Sequence, residues 1–138
     1  MRKIILLFLV FIGGAGLTAD TLPDFTVTDI LTKTDNFIYI KIQNISPHGV
    51  NQSMITPAVK EKIFLTIFID NVKRSEYKLK YMDTKLLGGK STILFRTNFR
   101  LQKGLELNVK AHVNPLKIIG ETNFFNNTLE KKIQPGKK

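Results

Sequence analysis

From Ile63 to Ile69 the chain reads Ile-Phe-Leu-Thr-Ile-Phe-Ile, and from Leu105 to Val113 an apolar residue falls on every second position. Successive side chains of an extended strand point to opposite faces, so a period of two is the mark of a strand with one face buried. The same alternation, interrupted by Gly, Pro, Asn and Asp, places strands at about Phe25 to Leu31, Phe37 to Gln43, Ile63 to Asp70, Glu76 to Tyr81, Ser91 to Phe99, Leu105 to Val113 and Asn127 to Ile133. The expected inward sets are Ile38, Ile40 and Ile42; Ile63, Leu65, Ile67 and Ile69; Ile93, Phe95 and Phe99; and Leu105, Leu107, Val109, Ala111 and Val113. Short strands at fairly regular spacing predict an all-β chain, folded as a seven-stranded antiparallel immunoglobulin-like β-sandwich rather than a closed barrel. An apolar set of this size can close a core unaided. It has to, because the chain has no cysteine for disulfides or thiolate metal sites.

Residues 1–19 have the order of a secretory signal peptide. Arg2 and Lys3 precede the apolar run Ile4 to Ile12, and Gly13 to Ala19 is a stretch of mostly small residues. That run is short of the roughly 20 apolar residues that span a bilayer, and no other transmembrane candidate follows. Cleavage after Ala19 predicts a single domain over residues 20–133 and a disordered tail over 134–138. Export of this kind ends in the periplasm, at the cell surface or outside the cell.

The turn-rich segment Val113-Asn114-Pro115-Leu116-Lys117-Ile118-Ile119-Gly120-Glu121-Thr122-Asn123-Phe124-Phe125-Asn126-Asn127 joins the last two strands. Asn and Asp side chains there can bond nearby main chain and tolerate left-handed backbone. The segment resembles the signature of the CARDB family, the cell-adhesion-related domain found in bacteria. Its last two strands are bridged by a run of the form V-D-P-x-N-x-I-x-E-x-N-E-x-N-N, matched here at Val113, Pro115, Ile119, Glu121, Asn123, Asn126 and Asn127. Pro23 to Ile30 resembles the family's opening strand, and Ile38 to Asn44 its second, which tends to end in Asn. Phe68-Ile69-Asp70-Asn71 and Leu86-Leu87-Gly88-Gly89 fall where the family carries turns after its third strand and before its fifth. Asn114, Lys117 and Phe124 depart from the pattern by removing carboxylates and adding a cation, so no calcium site is expected at this corner. Glu121, Asn123, Asn126 and Asn127 are expected to be structural, satisfying main-chain groups where the last two strands cross. What the resemblance implies is an immunoglobulin-like fold and a noncatalytic binding or adhesion module.

Catalytic constellations are scarce. His48 stands between Pro47 and Gly49, His112 occupies an outward strand position, and no serine sits in a nucleophile-elbow motif. Gly88-Gly89-Lys90-Ser91-Thr92 lacks the glycine spacing and the following helix of a phosphate loop. No enzyme activity and no cofactor or metal is therefore expected. Ser46 to Lys60, with Pro47, Gly49, Asn51 and Pro57, reads as a long loop whose Met54 and Ile55 plug one end of the sandwich.

Charge is the remaining signal. The chain carries +10, or +8 without Arg2 and Lys3, and the excess is concentrated between Asn71 and Lys110. A surface of one sign can hold polyanions, which for an exported protein include anionic polysaccharide and lipid, although no specific nucleic-acid motif is present. If Ile63, Leu65, Ile67 and Ile69 face inward, Phe64 and Phe68 face outward beside Lys78, Lys80, Lys110 and His112, a face suited to a partner. The expected partner is a protein or an envelope polymer. A structural component of an envelope assembly and a secreted polyanion-binding protein are the alternatives.

Overall fold

The computed structural model describes residues 21–135, so the expected signal peptide and the last three residues of the expected tail lie outside the described residues. The strands are β1 (Phe25–Thr32), β2 (Phe37–Asn44), β3 (Ile63–Ile69), β4 (Val72–Lys78), β5 (Ser91–Arg100), β6 (Leu107–Val113) and β7 (Thr128–Ile133). They form two antiparallel sheets, one ordered β1-β2-β5 and the other β4-β3-β6-β7. This is the expected immunoglobulin-like sandwich. Its inner faces meet in a core built around Phe25, Ile30, Ile38, Ile40, Ile42, Phe64, Leu65, Ile67, Val109, Ala111 and Val113, all at 0% exposure.

The sheets are tied where β1 runs beside β7. Thr26 Oγ1–H donates to the Asn126 carbonyl and Thr32 Oγ1–H to that of Gln134, both at 2.7 Å, and Lys131 pairs with Asp29 at 2.7 Å. These side-chain links cover two strand edges that would otherwise offer free backbone. At the opposite seam, Tyr77 from β4 meets Phe95 from β5 edge-on at 4.8 Å, and its hydroxyl accepts the Asn98 N–H at 3.0 Å.

Several boundaries differ from the sequence expectation. β4 begins at Val72, because Asp70 and Asn71 adopt φ of 50° and 68° and form a tight two-residue hairpin. Leu79–Tyr81, expected as strand, is a 3-10 turn. β6 starts at Leu107, and Leu105 is 43% exposed instead of inward. In the long loop, Gln52–Met54 is a 3-10 turn and α1 (Pro57–Lys60) a single helical turn capped by the Thr56 hydroxyl. Met54 does not plug the sandwich, being 53% exposed; Val50, 8% exposed, packs there and its N–H binds the Leu87 carbonyl at 2.7 Å.

The same end is closed by Asn44, the last residue of β2. Its side-chain oxygen accepts the N–H groups of Asp24 and Ser46, and its amide donates to the carbonyls of His48 and Gly88. A buried amide with every hydrogen-bonding capacity used fixes three chain segments relative to one another, those at Asp24, Asn44 to His48 and Gly88.

Candidate functional site

The β6–β7 connection is organised by one buried carboxylate. Glu121 is 6% exposed; its Oε1 accepts the Phe25 N–H at 2.7 Å, and its Oε2 accepts the side-chain amides of Asn114 and Asn127, each at 2.6 Å. Asn114 also donates to the Ile119 carbonyl at 2.8 Å, and Asn127 to that of Val113 at 3.0 Å. Burial without a cation pushes the Glu121 pKa up to about 7, while the three N–H donors pull it back toward the ionised form. The start of β1, the end of β6 and the start of β7 thus converge on one side chain.

Of the residues expected to build this crossing, Glu121 and Asn127 are central. Asn126 links the corner to β1 by donating to Asp24 at 2.9 Å, and Asn123 only shapes its own turn by accepting the Phe125 N–H at 2.8 Å. Sequence reasoning missed Asn114, treated there as a lost carboxylate. Its φ of 52° is a conformation that Asn tolerates better than most residues, and its amide supplies a donor where an Asp would set a second negative charge against Glu121.

On this scaffold the loop projects apolar side chains. Phe125 is 99% exposed and Leu116 is 62% exposed. Lys117 Nζ lies 5.0 Å over the ring of Phe124. Beside Phe125 opens a cleft of about 370 Å³, whose lining includes His112, Pro115, Lys117, Thr122 and Phe124.

His112 connects this corner to the outer face of the four-stranded sheet. Across that face Lys73, Phe68, Lys110 and Glu130 lie in one register row, and Glu76, Thr66, His112 and Thr128 in the next. Phe68 is half-buried, with Lys110 Nζ 4.5 Å over its ring. His112 is half-buried, and desolvation, with Lys110 nearby, lowers its pKa and so favours the neutral imidazole.

The outward assignment of Phe64 is overturned. Phe64 is 0% exposed and meets Phe25 edge-on at 5.2 Å in the core. The register slips between Ile63 and Leu65, and this β-bulge turns Phe64 to the same side as Leu65, leaving Ile63 half-buried. Lys78 and Lys80 also fall away from Phe68. Lys78 pairs with Ile63, about 16 Å along the strand from Phe68. Both lysines bind Glu61, at 3.5 and 2.6 Å. Only Phe68, Lys110 and His112 of the expected face therefore lie together.

Among the described residues no group of three or more His, Cys, Asp or Glu side chains could hold a metal ion, and no helix is long and apolar enough to cross a membrane.

No protein-family model matches the sequence, and no curated protein matches it. Solved structures do. A CARDB domain from Pyrococcus furiosus, solved in complex with di-metal ions, superposes with a TM-score of 0.56 at 15% identity, covering 83% of this chain and 94% of that one. A domain from Methanosarcina acetivorans, described as belonging to a cell surface protein, gives a TM-score of 0.60 at 14% identity, covering 85% and 95%. The chain has a CARDB-like fold.

Proposed function

We propose that this chain is an exported, noncatalytic binding module of the adhesion type, which contacts a partner protein of the cell envelope through the β6–β7 corner and the adjoining sheet face. The observation that carries the reading is Phe125, wholly exposed on a loop whose base is held by the buried Glu121 network. An aromatic anchor on a preorganised loop loses little conformational freedom on binding and gains a large apolar contact. Leu116 extends that contact, and Phe68, Lys110 and His112 continue it across the sheet. The cell-surface description of the Methanosarcina neighbour supports the same placement.

The metal ions of the Pyrococcus domain are not carried over. Among the described residues no group of three or more His, Cys, Asp or Glu side chains could hold an ion, and at the β6–β7 corner Lys117 is exposed while the Glu121 carboxylate already accepts three N–H groups.

A photo-crosslinking residue at position 125, introduced in cells, should capture one envelope protein reproducibly. The same probe at Glu106, at the far end of the sandwich, should not. Equal yields at the two positions, or capture at 125 unaffected by Leu116→Ser, would remove the corner from the reading.

A further inference from the structure

The outer face of the three-stranded sheet carries a cluster of cations mounted on aromatic rings. Arg96 lies with its guanidinium carbon 4.5 Å from the ring centre of Phe37, Arg100 lies 5.9 Å from the same ring, and Lys33 Nζ lies 4.7 Å over Tyr39. Tyr39 is paired in register with Arg96, and Lys41 with Leu94, so the cluster continues along β2 and β5.

An irregularity in β5 creates this grouping. On a regular strand Arg96 and Arg100 would sit about 13 Å apart. Here the register passes from Tyr39↔Arg96 to Phe37↔Arg100, so β5 advances by four residues while β2 advances by two. Thr97 holds the distortion, its buried hydroxyl donating to the Ile38 carbonyl at 2.9 Å and accepting the Phe99 N–H at 3.1 Å. Both guanidiniums are thereby brought to one ring.

Among the described residues Lys33, Lys41, Arg96 and Arg100 form no direct ion pair, whereas Lys73, Lys78, Lys80 and Lys131 all do. Asp35 nevertheless acts through space on Arg96 and Lys33, and Asp29 on Lys41. The neighbouring carboxylates are engaged: Asp29 by Lys131 at 2.7 Å, and Asp35 by the Tyr39 hydroxyl at 2.6 Å and the Phe37 N–H at 3.1 Å. A guanidinium laid on a ring can still turn N–H groups toward the paired oxygens of a carboxylate, sulfate or phosphate, although Arg96 also interacts with the Tyr39 hydroxyl, and less of its side-chain freedom remains to be lost.

We infer that this face binds a linear anionic glycan, with Arg96 and Arg100 gripping one acidic group and Lys33 and Lys41 its neighbours. The most exposed large apolar side chains, Phe125, Leu116 and Tyr81, lie off this face, where Leu94 is 41% exposed. The cations occupy ring faces on which a nucleic-acid base would stack. The choice of a glycan among polyanions rests on the proposed export; the cation cluster does not.

Affinities of the purified protein for heparin and for polygalacturonate test the inference, with single-stranded DNA and phosphatidylglycerol vesicles as comparison ligands. Arg96→Ala/Arg100→Ala should weaken glycan binding by about tenfold or more, as when charge-assisted contacts are lost. Lys73→Ala/Arg74→Ala, with the same change in net charge, should alter it less than about twofold, the limit for screened charge at a distance. Arg96→Lys/Arg100→Lys keeps charge and fold, and should lose affinity because a lysine cannot bind in two-pronged fashion. Equal loss in the first two variants, no binding to either glycan, or tighter binding to DNA or vesicles would each overturn the proposal. None of these readouts involves position 125, so this face and the β6–β7 corner stand or fall separately.

Discussion

Glu121→Gln separates the charge of the buried carboxyl from its shape. The ordinary glutamate pKa of 4.5 is raised to about 7 in the fold by burial, so the folded state holds the proton more tightly than the unfolded chain does. The stabilisation this proton confers is complete below about pH 4.5 and is lost as pH rises through about 7. The shift of about 2.5 units corresponds to about 3 kcal/mol. Asp29, Asp35 and Glu61 have lowered pKa values, from the Lys131, Tyr39 and Lys80 hydrogen bonds respectively, and act in the opposite sense below their ordinary range. They are common to both proteins and cancel in the comparison. The assay is urea unfolding followed by far-ultraviolet circular dichroism, since the chain has no tryptophan. Measured from pH 4.5 to 8, the stability of the native protein should fall relative to that of Glu121→Gln by about 3 kcal/mol. Parallel pH profiles would refute the reasoning, and would mean that the N–H donors of Phe25, Asn114 and Asn127 outweigh desolvation and keep the group ionised throughout.

Phe64→Ser should cost about 3 to 5 kcal/mol, as for a buried aromatic removed from a core, whereas Phe68→Ser should cost under about 1 kcal/mol; similar losses in thermal melts would contradict the facing set by the β3 bulge. Gly89→Ala should destabilise strongly, because a Cβ at that position would lie 2.1 Å from the Pro47 carbonyl oxygen, backbone that cannot swing aside; a melt within a degree or two of the parent would show that the two loops separate easily. Millimolar calcium should leave the melting temperature unchanged, and a clear rise would reveal a cation site among oxygens now assigned to hydrogen bonding.

The period-two pattern determined the strand number, the class of fold and most of the core, because alternation is a local property that burial on one face imposes residue by residue. The resemblance to CARDB was legible in the same way, from Val113, Pro115, Glu121 and the asparagines around the last crossing. The tertiary structure decided whatever depended on register. The bulge at Phe64 turned an apparently outward aromatic into core, and the β5 irregularity at Thr97 brought Arg96 and Arg100 to one ring. Neither leaves a local mark, since a bulge depends on what the partner strand presents across the ladder. Glu121 shows the same limit in part: Asn114 and Asn127 lie within seven residues of it, but the third donor, the Phe25 N–H, is 96 residues away and reaches the carboxylate only when β1 packs beside this corner.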